Sequence, residues 1–452
     1  MTVPSPQSVP TTGPEGLFDV LGIGVGPFNL STAALLPKAA SLTAQFIDRK
    51  DEFTWHPGLL FRDATLQSPS LKDCVTLVDP TSEYSFLNYL ARNRRLNRFV
   101  VADYPNVRRA EFNDYFRWIC QSLDTVQFGT DVRSLTFHNG TFHAETNRGD
   151  YRAKDVVLGV GREPFVPEGA RAHLSDTVFH GTQYLLRDVD VTGKRVAVIG
   201  GGQTGAEIFN DLIGDNSRLP SEVTWVTRRG NFAPFDESPF ANELYVPGYT
   251  RYFHSQTAAE RARLLPMQKL SSDAILQPLL ENIHRRLYEL DYLEPRGLRH
   301  RLLVDRQFTK LSPARGTGGW VLELENPAGL EAVEADVVIL ATGFTHGIPA
   351  VLDQLRDRLV LDEAGRPEVN EDFSLRWDGP ADRRIFAHNM ALHSHGWIDP
   401  NFAGMAWRSG VIVNSLAGRY VYDVDVDGTT VDWGGKTTTR GVPAPETAGA
   451  AT

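Results

Sequence analysis

The 452 residues are 41% hydrophobic and 23% charged, an ordinary composition for a soluble protein and a length sufficient for two or three domains with large cores. A formal net charge of -10 argues against non-specific binding to nucleic acid, whose phosphates call for a basic surface. Cys74 and Cys120 do not form a C-x-x-C pair, which argues against a disulfide framework, a dithiol redox centre and a cysteine-rich metal site; with no apolar run of membrane-spanning length and no leader pattern, free buried thiols in a reducing cytoplasm are expected.

Residues 1–16 are rich in Pro, Ser and Thr and read as a flexible tail. The mostly apolar run Phe18-Asp-Val-Leu21 then leads to Gly24-Val-Gly26-Pro27-Phe28-Asn29. A strand, a glycine turn and a helix in that order can set a pyrophosphate on the free N–H groups of the helix N-terminus. The next strand, Ala44–Ile47, ends in Asp48, 24 positions beyond Gly24, where a carboxylate accepts hydrogen bonds from an adenosine ribose. This first unit reads as an FAD site. A turn-rich segment follows, from Trp55-His56-Pro57-Gly58 through Leu66-Gln67 to Leu71-Lys72-Asp73, and would lie near the flavin ring. A helix is expected over 109–123, and short strands over 125–128 and 135–145. Residues 155–161 form an apolar strand ending in glycines, where a close backbone approach to a nucleotide is possible.

A second unit repeats the pattern. Arg195–Ile199 runs into Gly200-Gly201-Gly202-Gln203-Thr204-Gly205, and the following strand, Val223-Thr-Trp-Val-Thr227, ends in Arg228-Arg229. Two guanidinium groups cannot accept from a ribose hydroxyl but can hold a 2′-phosphate, so this site reads as NADPH. Residues 234–298 break the strand–helix rhythm, with apolar residues at helical spacing over 258–265 and 276–290. Residues 336–344 then repeat the apolar, glycine-ending strand of 155–161. The simplest topology is an α/β protein with two Rossmann-like domains, the second inserted in the first. The FAD domain would be 17–190 completed by 336–425, and the NADPH domain 191–335 with a small, mostly helical substrate region at about 234–298; 434–452 is a second flexible tail. His393-Ser-His395-Gly396 has no further ligand at metal spacing to support a metal site. There is no G-x-S-x-G elbow and no P-loop.

These stretches together carry a resemblance. Gly24 to Leu30, Phe53-Thr-Trp-His-Pro-Gly58, Lys72 to Leu77, Asp79-Pro-Thr-Ser82, Gly200 to Glu207, Phe240-Ala-Asn-Glu243, Ala341-Thr-Gly-Phe344 and His393 to Gly396 resemble the flavin-dependent N-hydroxylating monooxygenases of siderophore biosynthesis, the lysine N6-/ornithine N5-monooxygenase family. The resemblance spans roughly 18–422. It implies that Gly24, Gly26 and Asn29 face the FAD pyrophosphate and Asp48 the ribose, with Pro27 and Phe28 also at the FAD site. It implies that Trp55, His56, Gln67, Val132 and Ser409 line the rest of the FAD site. Gly200, Gly202, Gln203, Thr204 and Gly205 would meet NADPH, with Arg228 or Arg229 on its 2′-phosphate. Asn242 and Tyr245 would touch NADP and substrate, and Lys72, Gln67 and Asn242 would hold the substrate. Gln268 to Asp273 and Trp407-Arg408-Ser409 point to the lysine and diamine branch.

The implied reaction is NADPH- and O2-dependent hydroxylation of the terminal amine of L-lysine or a closely related ω-amine through a C4a-hydroperoxyflavin. Putrescine or cadaverine is the alternative substrate, and a flavin/NADPH redox sensor the alternative of another class. A homo-oligomer, dimer or tetramer, is compatible with this reading. Phe179-His-Gly-Thr-Gln-Tyr184 does not fit the linker of Baeyer–Villiger monooxygenases, and the missing C-x-x-C argues against a disulfide reductase.

Overall fold

Leu17–Ile23 (β1) centres the first sheet, and its inner residues Val20, Leu21 and Ile23 are buried, as in a parallel strand covered on both faces. It pairs in parallel with Ala44–Ile47 (β2) on one side and with Gly149–Leu158 (β6) on the other. Val126–Gln127 (β3) extends the edge beyond β2. The antiparallel hairpin Val132–His138 (β4) and Thr141–Thr146 (β5) pairs with the first half of β6, and Ile385–Ala387 (β15) pairs in parallel with its last residues. Pro27–Leu35 (α1) follows β1 and packs against Met405–Ala417 (α7), while Arg109–Ser122 (α2) buries Phe112, Tyr115, Phe116 and Ile119 in the same core. The structure is a computed structural model that describes residues 16–316, 318–425 and 429–434; the two expected tails lie almost wholly outside them.

The second sheet is five-stranded and parallel, in the order Arg299–Leu303 (β10), Glu222–Val226 (β9), Arg195–Ile199 (β8), Val337–Leu340 (β14) and Val178–His180 (β7). Alternation sorts its faces. Val196 and Val198 pack with Gln203–Gly214 (α3) and Gln277–Tyr288 (α6), while Ala197 and Ile199 pack under the antiparallel meander Gln307–Pro313 (β11), Trp320–Asn326 (β12) and Gly329–Ala335 (β13).

Two expectations need correction. The strand at 336–344 does not return to the first sheet: it enters the second, in register with β8 from Val337↔Val196 to Leu340↔Ile199. Without it the apolar β8 would be left as an unpaired edge. The return to the first sheet comes later, at β15. The second sheet therefore draws on 178–340 rather than 191–335, and the chain crosses between sheets at 159–165 and 342–348. These two crossings run side by side, with Phe165 N–H donating to Gly343 O at 2.9 Å and Thr345 N–H to Glu163 O at 2.8 Å.

The region 234–298 is mostly helical as expected, but it has two destinations. Pro247–Ser255 (α4) and Ala258–Met267 (α5) pack against the 392–398 segment, whereas α6 is the crossover between β9 and β10 and buries Ile283 in the second core. Among the described residues no helix is long and apolar enough to cross a membrane.

Candidate active site

The two glycine turns are built alike. Gly24 and Gly200 both have positive φ, 85° and 135°. A Cβ on Gly24 would lie 2.6 Å from Gly159 O, and one on Gly200 would lie 2.0 Å from Ala341 O. Each turn thus presses on the strand at its sheet's switch point, β6 in the first and β14 in the second, where α/β sheets bind ligands. Gly26 and Gly202 differ from these. Both are N-cap residues in extended conformation, φ -89° and -108°, with no side-chain cap. A Cβ on Gly26 would meet only Gly159 O at 3.6 Å, and one on Gly202 would meet nothing within 4 Å. Neither the backbone nor the packing requires glycine there. The vacant space and the uncapped N–H groups suit a phosphate at both helix ends.

The third motif position shows how the turns are closed. Gly205 is buried, and a Cβ there would strike Gly200 O at 2.0 Å; Trp225 Nε1 donates to that same oxygen at 2.9 Å. In the first turn Asn29 does this work. Its Nδ2 donates to Gly24 O at 2.7 Å, Val157 O at 3.1 Å and Ile23 O at 3.3 Å. Asn29 is 0% exposed, so in this structure it holds the turn rather than facing a cofactor. Ser409 is also 0% exposed; its Oγ accepts from Thr32 Oγ1 at 3.1 Å. It joins α7 to α1 and does not reach the cleft. Phe28 points inward too, stacked on His388 at 5.6 Å with the Arg408 guanidinium 4.2 Å from its ring centre.

The remaining first-site residues line a path from the turn towards the second domain. Asp48 Oδ2 accepts from Val25 N–H at 2.7 Å and Oδ1 from Lys50 N–H at 2.9 Å, which places the carboxylate beside the turn. Val132 opens β4, two residues past Thr130, whose N–H donates to Asp48 O at 2.8 Å. Trp55 is half-buried and packs on Phe402 at 4.9 Å and on His56 at 5.4 Å. His56 has φ 48°, and its side chain is accessible to solvent although protein surrounds it closely. Desolvation there, with Arg109, Lys50 and Arg162 adding positive charge, holds its imidazole down to about 4. It is therefore neutral at neutral pH. A cavity of about 220 Å³ opens at the ends of β6 and β15, lined in part by Leu158, Val160, Arg162, His388, Asn389 and Arg356. Apart from the Val160 strand, no motif marked these lining residues.

On the second side, Gln203 and Thr204 start α3 half-exposed. Arg228 is exposed at the end of β9, and Arg229 is half-buried with its Nη1 unpartnered. Both follow Thr227, against which a Cβ on Gly201 would lie at 2.2 Å. The basic pair therefore stands beside the second turn.

Between the two sites the structure assembles the substrate candidates. Lys72 Nζ donates to Asn242 Oδ1 at 3.1 Å and lies 6.0 Å from the centre of the Tyr245 ring. Burial alone lowers the Lys72 ammonium below its ordinary range. Gln67 Nε2 donates to Ala274 O at 3.4 Å, which joins the first-domain loop to the segment beyond Gln268 to Asp273. Tyr245 is 6% exposed and its hydroxyl bonds to Ser271 O. It shapes the wall under Lys72 rather than offering a free hydroxyl. His395 stacks on Phe373 at 4.2 Å, and His393 Nε2 bonds to Pro367 O at 3.0 Å, so both histidines are engaged in packing.

The family model described as L-lysine 6-monooxygenase/L-ornithine 5-monooxygenase matches residues 16–346. The chain belongs to this family. It is 37% identical over 421 residues to the L-lysine N6-monooxygenase of Escherichia coli, covering 92% of this chain and 98% of that one. The cadaverine monooxygenase of the desferrioxamine pathway from Erwinia amylovora, solved with FAD bound, superposes with a TM-score of 0.86 at 28% identity, covering 92% and 98% of the two chains. The ornithine N-hydroxylase of Kutzneria sp. 744, solved with reduced FAD, NADP+ and L-ornithine, superposes with a TM-score of 0.82 at 25% identity, covering 89% and 99%. The chain is an FAD-dependent, NADPH-using amine monooxygenase.

Proposed function

We propose that this enzyme hydroxylates the terminal amine of L-lysine and feeds the product into hydroxamate siderophore assembly. The observation that carries the amino-acid reading is Lys72. Among the described residues its half-buried ammonium has a single hydrogen-bond partner, the neutral Asn242 Oδ1, and burial is what lowers its proton affinity. Such a group is poorly compensated until an anion joins it. A substrate α-carboxylate supplies that anion, and the two remaining ammonium hydrogens are available to it. The 37% identity to a lysine N6-monooxygenase supports the same side chain length.

Bound FAD supplies the redox and oxygen chemistry, with NADPH as the electron donor. The protein has the remaining tasks. Gly26 and Gly202 leave space for the two pyrophosphates, Asp48 stands by the ribose, and Arg228 and Arg229 by the 2′-phosphate. Lys72 and Asn242 fix one end of the substrate so that its amine reaches the cleft. That amine, of pKa about 10.4 in water, must be neutral to attack, and a dry cleft favours the uncharged form. The neutral His56 adds no charge that would oppose or fix it.

Putrescine or cadaverine is the rival substrate, and the likeness to a cadaverine monooxygenase favours it. A diamine carries two positive charges, which Lys72 repels. The test is hydroxylamine formation by the wild type on lysine, ornithine, putrescine and cadaverine, with Lys72→Met alongside. Lysine should be hydroxylated best. Lys72→Met should raise its KM strongly and leave substrate-free NADPH oxidation near the wild-type rate. Hydroxylation of a diamine with none of lysine would refute the proposal.

A further inference from the structure

A buried charged pair joins the two domains; Glu207 closes the Gly200 to Glu207 stretch, whereas nothing in the sequence marked Arg109. Arg109 opens α2 in the first domain, and Glu207 lies on α3 in the second. The guanidinium makes a two-pronged contact with the carboxylate, Nη1 donating to Oε2 at 3.0 Å and Nη2 to Oε1. The side chains are 13% and 5% exposed. Arg109 also donates to Leu59 O at 3.2 Å and Thr65 O at 3.3 Å, on the loop that carries Trp55 and His56. Glu207 Oε1 in turn accepts from Gln203 Nε2 at 2.8 Å, and Gln203 Oε1 accepts from Leu276 N–H at 2.9 Å. One chain of hydrogen bonds thus runs from the loop of the FAD site to the first residue of the NADPH helix. Nearby contacts are close: a Cβ on Gly58 would lie 2.0 Å from Thr182 O, and the tilted rings of Phe61 and Tyr184 pack with centres 5.6 Å apart.

We propose that Arg109 and Glu207 are positioning residues that fix the NADPH helix against the flavin cleft, and that Arg109 also cancels a carboxylate charge which would otherwise oppose the incoming pyrophosphate. The pair is well placed for both tasks. The two covalent crossings, 159–165 and 342–348, lie together on one side and leave a hinge between the domains, as paired linkers allow. A bidentate Arg–carboxylate contact gives direction as well as attraction. Helical side chains lean towards the N-terminus, and the Gln203 bond shows that the Glu207 carboxylate reaches the first turn of α3, where the dinucleotide phosphates go. If Arg109 is removed, a buried negative charge stays behind at that point.

The two halves of the proposal separate in three variants. Glu207→Gln keeps the shape but loosens the latch. At saturating NADPH, anaerobic flavin reduction should slow by about ten-fold, the scale of a small misplacement, while NADP+ affinity measured calorimetrically stays equal or tightens. Arg109→Met should slow reduction similarly and also weaken NADP+ binding by about ten-fold. The double variant should recover NADP+ affinity and remain slow in reduction. In ligand-free protein, amide exchange over 59–65 and 203–207 should rise in Glu207→Gln. Flavin reduction by dithionite should be alike in all. Unchanged reduction and unchanged exchange in Glu207→Gln would overturn the latch. Equal NADP+ affinity in Arg109→Met and wild type, or no recovery in the double variant, would overturn the charge role. Should Arg109→Met fail to hold FAD, Glu207→Gln decides the latch, and Arg109→Lys, which keeps the charge without the fork, decides the charge role by retaining NADP+ affinity or losing it.

Discussion

At the scale of single residues, the glycines of one turn do opposite things. Gly24 answers to the protein: φ is 85° and Gly159 O lies 2.6 Å from where its Cβ would be. Gly26 does not answer to the protein, because its conformation suits any residue and its Cβ would meet only ordinary contact; the proposed phosphate is what requires a glycine there. The consequence can be measured. Gly24→Ala should destabilise the ligand-free protein, by about 1–3 kcal/mol for the strained backbone alone. Gly26→Val should leave the melting temperature of the ligand-free protein nearly unchanged but yield colourless enzyme, because the side chain enters the phosphate space. Gly202→Val should be yellow and folded, yet lose NADP+ affinity. A Gly26→Val preparation with a full complement of flavin would show that no phosphate occupies that space. Chemistry of this kind is legible in a sequence, since a glycine turn after a strand is local. The roles of Asn29 and Ser409 were not, because whether a side chain faces inward depends on partners as remote as Ser409 from Thr32, 377 positions apart.

At the scale of elements, the proposed choice of nucleotide rests on the end of β9. Its last residues deliver Arg228 and Arg229 to the side of the second turn, where an acid would favour NADH. Arg228→Ala with Arg229→Ala should raise the KM for NADPH and leave that for NADH nearly constant, a loss on the order of 1.5–3 kcal/mol for charge-assisted phosphate contacts. Equal effects on both nucleotides would be fatal to the assignment. The strand, its length and its basic end could all be read from residues 223–229, because strand periodicity and phosphate chemistry act within a few positions. Membership of a sheet could not. The strands at 155–161 and 336–344 look alike in sequence, yet each closes its own switch point, Gly159 on Gly24 and Ala341 on Gly200. Pairing is decided by which apolar edge lies open, and that is settled only when the whole domain packs. The same reason hid α6, whose apolar face resembles that of its helical neighbours but covers the second sheet.

At the scale of the whole molecule, the ends of β15 and α7 press neutral and charged groups into the floor of the first domain. His388 and His395 are each 2% exposed. Burial pushes both imidazoles well below their ordinary 6.5, with Arg408 adding to the shift at His388, and His254, Arg408 and His393 at His395. Among the described residues His388 Nδ1 has no partner, and Arg408 is tied to Asp399 at 2.8 Å with both side chains 1% exposed. Protonating either histidine would place a second cation in this floor. The folded state therefore keeps these rings neutral where the unfolded chain binds protons. Their contribution to stability is fully present above about pH 6.5 and is lost as the pH falls below it, by at most ~1.4 kcal/mol per pH unit for each ring. Melting temperatures at pH 7.5, 6.5 and 5.5 should fall little across the first interval and steeply across the second. His388→Gln, which cannot take up the proton, should be less stable than wild type at pH 7.5 and should show a shallower decline between pH 6.5 and 5.5. A wild-type melting temperature constant down to pH 5.5, or an equal slope in His388→Gln, would mean that the floor accommodates the charge and that acid sensitivity arises elsewhere.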